Sequence, residues 1–288
     1  MQSPPVLTEP VPPYGAVLEV HPLIRRVVAN NPGPMTCHGT SSFIVGRGHV
    51  AVIDPGPDDP EHRRALVEAV AGERVTHVLL THAHADHAGG ARAFAAAVGA
   101  TTAGFGRAGA GDPGPPFRPD SPVADGAVIE GPGWRLEAVH TPGHASDHLC
   151  FALAGEGILF SGDHVMGWST TMVAPPDGDM AAYMASLRRL LGRGERLFLP
   201  GHGPAIADPI NHMRALLAHR EARERAVLEA VRLGAATAEA IVPALYPGLA
   251  APLRRAAERS VLAHLLKLAA EGRIIADQVG GETFRAAN

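Results

Sequence analysis

The chain has 288 residues, 46% of them hydrophobic and 19% charged, with a formal net charge of -4. Those proportions belong to a globular protein of one or two domains and exclude a disordered, collagenous or disulfide-scaffold chain. The two cysteines, Cys37 and Cys150, lie far apart and furnish neither a disulfide framework nor a cysteine-based zinc module, so a reducing, cytoplasmic setting is expected.

In chain order, the segment up to Pro13 has no Lys or Arg, unlike the basic start of a signal peptide. No apolar run approaches the roughly 20 residues needed to cross a bilayer, so no membrane partner is expected. Short β-branched runs predict strands over residues 16–20, 42–45, 50–53 and 75–80, with helices over 61–71 and 90–98. The stretch 104–122 is rich in Gly and Pro without periodicity and reads as a surface loop bordering a substrate cleft. Further strands are predicted over 136–139, 148–153, 157–160 and 197–199, with a helix over 180–191. This alternation is that of a layered α/β domain.

From Asn211 the pattern changes to helices over 211–233, 237–245 and 251–272, then extended pieces at 273–275 and 282–285 around Gly280 and Gly281. Three helices followed by a hairpin is the element order of a winged helix. The expected division is a catalytic domain over 1–210 and a winged-helix-like domain over 211–288. Residues 205–288 carry 11 basic and 9 acidic side chains, which is not the basic footprint of a nucleic-acid-binding domain.

Sixteen residues are histidine, the commonest metal ligand. The sharpest cluster is Thr81-His82-Ala83-His84-Ala85-Asp86-His87, directly after the strand 75–80. Alternate residues of an extended segment face the same way, so His82 and His84 can offer imidazoles to one metal, while Asp86 and His87 turn toward a second. Packing does not account for the cluster, because buried imidazoles need partners. Three later strands also end at turns that present a ligand: His144 after 136–139, Asp163 after 157–160 and His202 after 197–199. Strand ends gather at one sheet edge, so these seven side chains can converge.

The His-x-His-x-Asp-His motif with the later His, Asp and His resembles the metallo-β-lactamase superfamily of dinuclear metallohydrolases, over residues of about 16–210. The resemblance implies an αβ/βα sandwich with two divalent metals at one edge of two facing sheets. It implies His82, His84 and His144 on the first metal, Asp86, His87 and His202 on the second, and Asp163 bridging both. Asn31-Pro32-Gly33-Pro34 with Gly39-Thr40, Asp54-Pro55-Gly56, Thr141-Pro142-Gly143-His144 and Pro200-Gly201-His202-Gly203 are similar to the lactamase-like protein 2 branch. That branch also has a winged-helix-like C-terminal domain.

Two divalent ions about 3.5 to 4 Å apart can share a water, lower its pKa toward about 7 and present a bridging hydroxide as nucleophile. Asp86 is then expected to orient that nucleophile as well as bind metal, and zinc is the expected ion, with iron or manganese as alternatives. His148 is the further catalytic candidate, for substrate contact or proton donation, with His164 beside Asp163 as its rival. Thr40 and His38 are expected to border the site. Cys150 is expected in the core, His77 on a strand, and His212, His219 and His264 in the C-terminal helices without an assigned role.

The expected activity is hydrolysis of a small-molecule thioester or ester. The alternative, implied by the branch resemblance, is an endoribonuclease or phosphodiesterase acting on single-stranded RNA; the net charge opposes it, since phosphate contacts dominate nucleic-acid affinity. A metal-sensing DNA-binding regulator is the third reading. Lys267 is the only lysine, which disfavours a glutathione thioesterase, and the absence of an export signal disfavours a penicillin-type lactamase. The C-terminal domain is expected to cover the active-site edge or to form a homodimer interface.

Overall fold

The computed structural model describes residues 4–106, 117–277 and 282–287. The middle of the predicted 104–122 loop, and Gly280 and Gly281, therefore lie outside the described residues.

Seven strands form the first sheet in sequence order: β1 (Leu18–His21), β2 (Ile24–Val28), β3 (Ser41–Arg47), β4 (His49–Ile53), β5 (Arg74–Leu79), β6 (Thr102–Gly104) and β7 (Ser121–Pro122). The first four are antiparallel. β5 joins β4 in parallel through the crossover helix α1 (Pro60–Ala69), and β6 joins β5 through α2 (Ala85–Ala88) and α3 (Ala91–Val98). The second sheet holds β8 (Val128–Gly131), β9 (Trp134–His140), β10 (Leu149–Leu153), β11 (Ile158–Gly162) and β12 (Leu197–Pro200) in spatial order. β11 and β12 are parallel and are connected by α4 (Met180–Leu191).

Strand alternation assigns the layers. Phe43, Val45 and Ile53 of the first sheet meet Leu136, Phe151 and Phe160 of the second, with the Phe43 and Phe160 rings 5.1 Å apart. The alternate residues Ile44 and Val52 face Leu66 of α1 and Phe94 of α3. Val139 and Leu159 face Tyr183 and Leu187 of α4. The order helix, sheet, sheet, helix is the expected αβ/βα sandwich.

All eight predicted strands are present, with ends shifted by at most two residues. β2 was not predicted, because Arg25 and Arg26 interrupt its apolar run. Both arginines are only 8% exposed. Arg26 reaches Glu9 with two 2.8 Å contacts and Arg25 reaches Glu73, so each buried charge has a carboxylate far away in sequence.

The C-terminal part consists of α5 (Pro209–Arg232), α6 (Ala238–Leu245), α7 (Ala251–Ala270) and the hairpin β13 (Ile274–Ala276) with β14 (Phe284–Ala286), the predicted winged-helix order. The start of α5 is fixed by Asp208, whose carboxylate accepts from the Asn211 N–H, and by Pro209 in its first turn. Met213 and Leu216 of α5 bury against the second sheet's layer, whereas Val227, Leu228 and Val231 belong to the core of the C-terminal part. Among the described residues no helix is long and apolar enough to cross a membrane.

Candidate metal centre

β10 runs antiparallel to both β9 and β11, and β12 runs parallel to β11, so β9, β11 and β12 all end at one edge of the second sheet. The turns carrying His144, Asp163 and His202 follow those ends. The motif after β5 in the first sheet meets them through backbone hydrogen bonds: Leu149 N–H donates to the Thr81 carbonyl at 2.7 Å, Gly201 N–H to Gly162 at 2.9 Å and Ser41 N–H to Gly201 at 2.8 Å. Two glycines permit the approach. A Cβ on Gly201 would stand 2.6 Å from His87 Cε1 and 2.8 Å from Asp163 Oδ1, and one on Gly162, at φ 48°, would stand 2.5 Å from His148 Nε2.

Asp54 follows β4 at φ 51°, a left-handed conformation unusual for a residue with a Cβ. Its buried carboxylate accepts three hydrogen bonds: Thr81 N–H to Oδ1 at 2.7 Å, the Thr81 hydroxyl to Oδ2 at 2.7 Å, and His87 Nδ1–H to Oδ2 at 2.8 Å. Because Thr81 gives its proton to Asp54, its oxygen must accept from His82 Nδ1–H, 3.0 Å away. One carboxylate therefore sets the tautomers of His82 and His87 and leaves both Nε2 atoms with lone pairs. His144 Nδ1–H donates to the Met172 carbonyl at 2.7 Å and His202 Nδ1–H to the Gly39 carbonyl at 3.3 Å, with the same result.

The inner nitrogens face each other. His84 Nδ1 lies 2.9 Å from His82 Nε2 and 3.1 Å from His144 Nε2. His87 Nε2 and His202 Nε2 are 3.2 Å apart, and Asp86 Oδ2 is 3.2 Å from the latter. Asp163 offers one oxygen to each group: Oδ2 lies 3.7 Å from His144 Nε2, and Oδ1 lies 3.4 and 3.5 Å from Nε2 of His87 and His202. Oδ1 is buried and accepts no hydrogen bond. Converging lone pairs repel unless a positive charge stands among them.

Electrostatics divides the cluster. Burial, reinforced by neighbouring imidazoles, lowers the pKa of His82 and pushes His84 to about 4, so these rings are neutral donors. Burial also opposes charge on His87 and His202, but Asp163 and Asp86 outweigh it and raise both, His202 to about 9. Without an ion the second group therefore takes up protons on its ring nitrogens, the positive charge that a cation would supply in their place, whereas His82 and His84 of the first offer uncharged nitrogen. The residues present fit a divalent cation in each place, of a kind that takes imidazole and carboxylate ligands.

Residues 35–202 match the family model of the metallo-beta-lactamase superfamily, and residues 237–281 match that of the beta-lactamase associated winged helix domain. The chain belongs to the metallo-beta-lactamase superfamily. It is a hydrolase of that superfamily with a His/Asp cluster compatible with two metal ions. It is 36% identical to a lactamase-like protein of Pestalotiopsis microspora over 77% of this chain and 67% of that one. It is 33% identical to the atrochrysone carboxyl ACP thioesterase nsrC of Aspergillus novofumigatus over 75% of this chain and 65% of that one. Its matches thus span about two thirds of the length of these relatives. The crystal structure of a metallo-beta-lactamase family protein from Thermus thermophilus superposes with a TM-score of 0.76 at 27% identity, covering 93% of this chain and all of that one.

Within this superfamily fold, the seven side chains singled out in the sequence meet at one edge: His82, His84 and His144 in one group, Asp86, His87 and His202 in the other, and Asp163 between. Thr40 also borders them, through a backbone bridge to His202. The expectation of proton donation by His148 is corrected. Its Nδ1–H bonds Thr141 Oγ1 at 2.9 Å and its Nε2 accepts from the Asp163 N–H at 3.1 Å, so both nitrogens are committed and the ring positions Asp163. His164 is fully buried against Tyr183, with ring centroids 4.8 Å apart, and burial lowers its pKa to about 3. The sequence marks Asp54 only within the Asp54-Pro55-Gly56 signature; an acidic residue at a strand end, facing the motif of the neighbouring strand, is the signal of its role.

Proposed function

We propose that this chain hydrolyses an acyl thioester at a pair of divalent ions, zinc by the character of the donors. The observation that carries hydrolysis is the spanning position of Asp163, one oxygen toward each imidazole group. Support for the thioester comes from the thioesterase relative at 33% identity and from the position of the histidines. With His148 committed and His164 buried, neither supplies a general acid to the leaving group. A thiolate, whose conjugate acid has a pKa of about 8.5, departs without one, unlike an amine or alkoxide.

His82, His84 and His144 would hold one ion and Asp86, His87 and His202 the other, with Asp163 common to both. When bound, the ions supply Lewis acidity toward water and the acyl oxygen. Asp86 keeps 31% of its side chain exposed. Burial works against its ionisation, but His87 and His202 hold its pKa down at about 2, so its carboxylate is charged and ready to accept a hydrogen bond from the attacking water and aim it. Asp54 and His148 act from behind, fixing two ring tautomers and the Asp163 backbone.

The test is metal-analysed enzyme assayed against acyl-pantetheine thioesters beside a single-stranded RNA oligonucleotide, with His84→Ala as the contamination control. Thioester turnover is expected, falling at least a hundredfold in the variant while RNA stays intact. RNA cleavage lost in the variant, with thioesters untouched, would replace this reading.

A further inference from the structure

A cavity of about 360 Å³ lies between the segment after β11 and the C-terminal helices. Its walls include Met35, Trp168, Tyr246, Leu253 and Ala257, and among its lining residues there is no aspartate or glutamate. Into this apolar space the α5 helix brings Arg220, which is 3% exposed. Its Nη2 donates to the Thr171 carbonyl, its Nη1 makes a long 3.4 Å contact with Ser260 Oγ, and its guanidinium stands 5.3 Å over the Tyr183 ring. Among the described residues it has no carboxylate partner, and its Nε–H has no acceptor.

That is an anomaly of charge. Among the described residues, the other two arginines that are less than 9% exposed, Arg25 and Arg26, each meet a glutamate, and a buried unpaired cation is costly. Two neighbours in the same wall share the deficit: Trp168 Nε1 and His219 Nδ1 are buried without partners. An unpaired cation and an indole N–H without an acceptor, both in the wall of an acid-free cavity, make that wall complementary to a ligand that brings acceptor oxygens.

We propose that this cavity binds an apolar organic anion, with its carboxylate on Arg220 and its apolar body against Met35, Tyr246, Leu253 and Ala257. The cavity is separated from the metal centre by one backbone segment. Thr171 and Met172, both in its wall, bond the Asp163 carbonyl and His144 Nδ1 at 2.7 Å each. The anion is therefore either the far end of the hydrolysed acyl group or a separate acid. Assigning it to the acyl group rests on the thioester reading; the anion site itself does not.

The experiment uses the full chain, metal-loaded, with 2-naphthoate and its neutral amide titrated by calorimetry. The acid should bind at least tenfold more tightly than the amide. Arg220→Gln should remove that difference, and Ala257→Phe, which fills the cavity away from the metal ligands, should weaken the acid at least tenfold. Equal binding of acid and amide would overturn the site, as would acid binding that survives both substitutions, which would put the probe on the metals. In a second arm, Ala257→Phe should raise KM for thioesters bearing a terminal carboxylate and leave acetyl thioesters unchanged. Unaltered KM for both, with acid binding lost, keeps the site and assigns it to a separate acid. If no thioester turns over, the functional reading fails and the calorimetry still decides the anion site.

Discussion

At the scale of single residues, Asp54 organises more of the centre than any side chain that would touch an ion. Its two oxygens receive three protons, and through Thr81 and His87 it decides which nitrogen of two rings is left to ligate. Asp54→Asn puts an amide N–H where one of those donors points and forces a ring to turn or change tautomer. Metal affinity should fall about 10- to 100-fold with the fold intact, as read by chelator competition and far-UV circular dichroism; unchanged affinity would show that Asp54 has no part in ordering the rings. The seven candidate ligands were legible because each stands in a short motif at a strand end. The roles of Asp54, His148 and Arg220 were not, although His148 and the Asp54 signature stand out in the sequence, since what defines each role is the partner opposite: Thr81 and His87 for the first, Asp163 for the second, and the missing acid for the third.

Elements were legible where their own sequence carries the signal. α4 has Asp179 ahead of an amphipathic run, and the structure shows that carboxylate accepting from the Ala182 N–H at 2.8 Å. The same residue's N–H donates to the Gly143 carbonyl, beside the ligand His144. Asp179→Ala removes the cap and keeps the backbone donor. It should cost about 1 kcal/mol and lower the melting temperature by roughly 2–4 °C, with metal content unchanged; metal loss would mean that the side chain, and not the backbone, holds the His144 turn. β2 was illegible because the glutamates that neutralise its arginines lie 17 and 48 residues away. The very short β6 and β7, and β8 with its Glu and Gly, offered no periodicity long enough to read.

At the scale of the whole molecule, the C-terminal part is tied together by Glu224 of α5. Its carboxylate lies 2.6 Å from Lys267 Nζ on α7 and 2.7 Å from Arg273 Nη1 ahead of β13. Burial alone would raise its pKa, but His264, Lys267 and Arg273 together bring it down to about 2 from 4.5. A depressed carboxylate stabilises the fold above its unfolded pKa, and that contribution is lost as pH falls from about 4.5 toward 2. Glu224→Gln should therefore destabilise the protein at neutral pH by on the order of 2 kcal/mol, less than a fully buried pair because Arg273 keeps 38% of its side chain exposed. The gap between variant and parent in denaturation midpoints should narrow as pH drops through that window; a constant gap would contradict the assignment.

α5 runs 24 residues without a break from the sandwich layer into the core of the winged helix. Relative movement of two bodies needs a joint, a few residues free to change φ and ψ, and an unbroken helix offers none. The winged helix is thus carried like an arm cast in one piece with the body. It cannot be exchanged at the junction as a separable module, because a replacement would have to bring its own first helix in register with Met213 and Leu216.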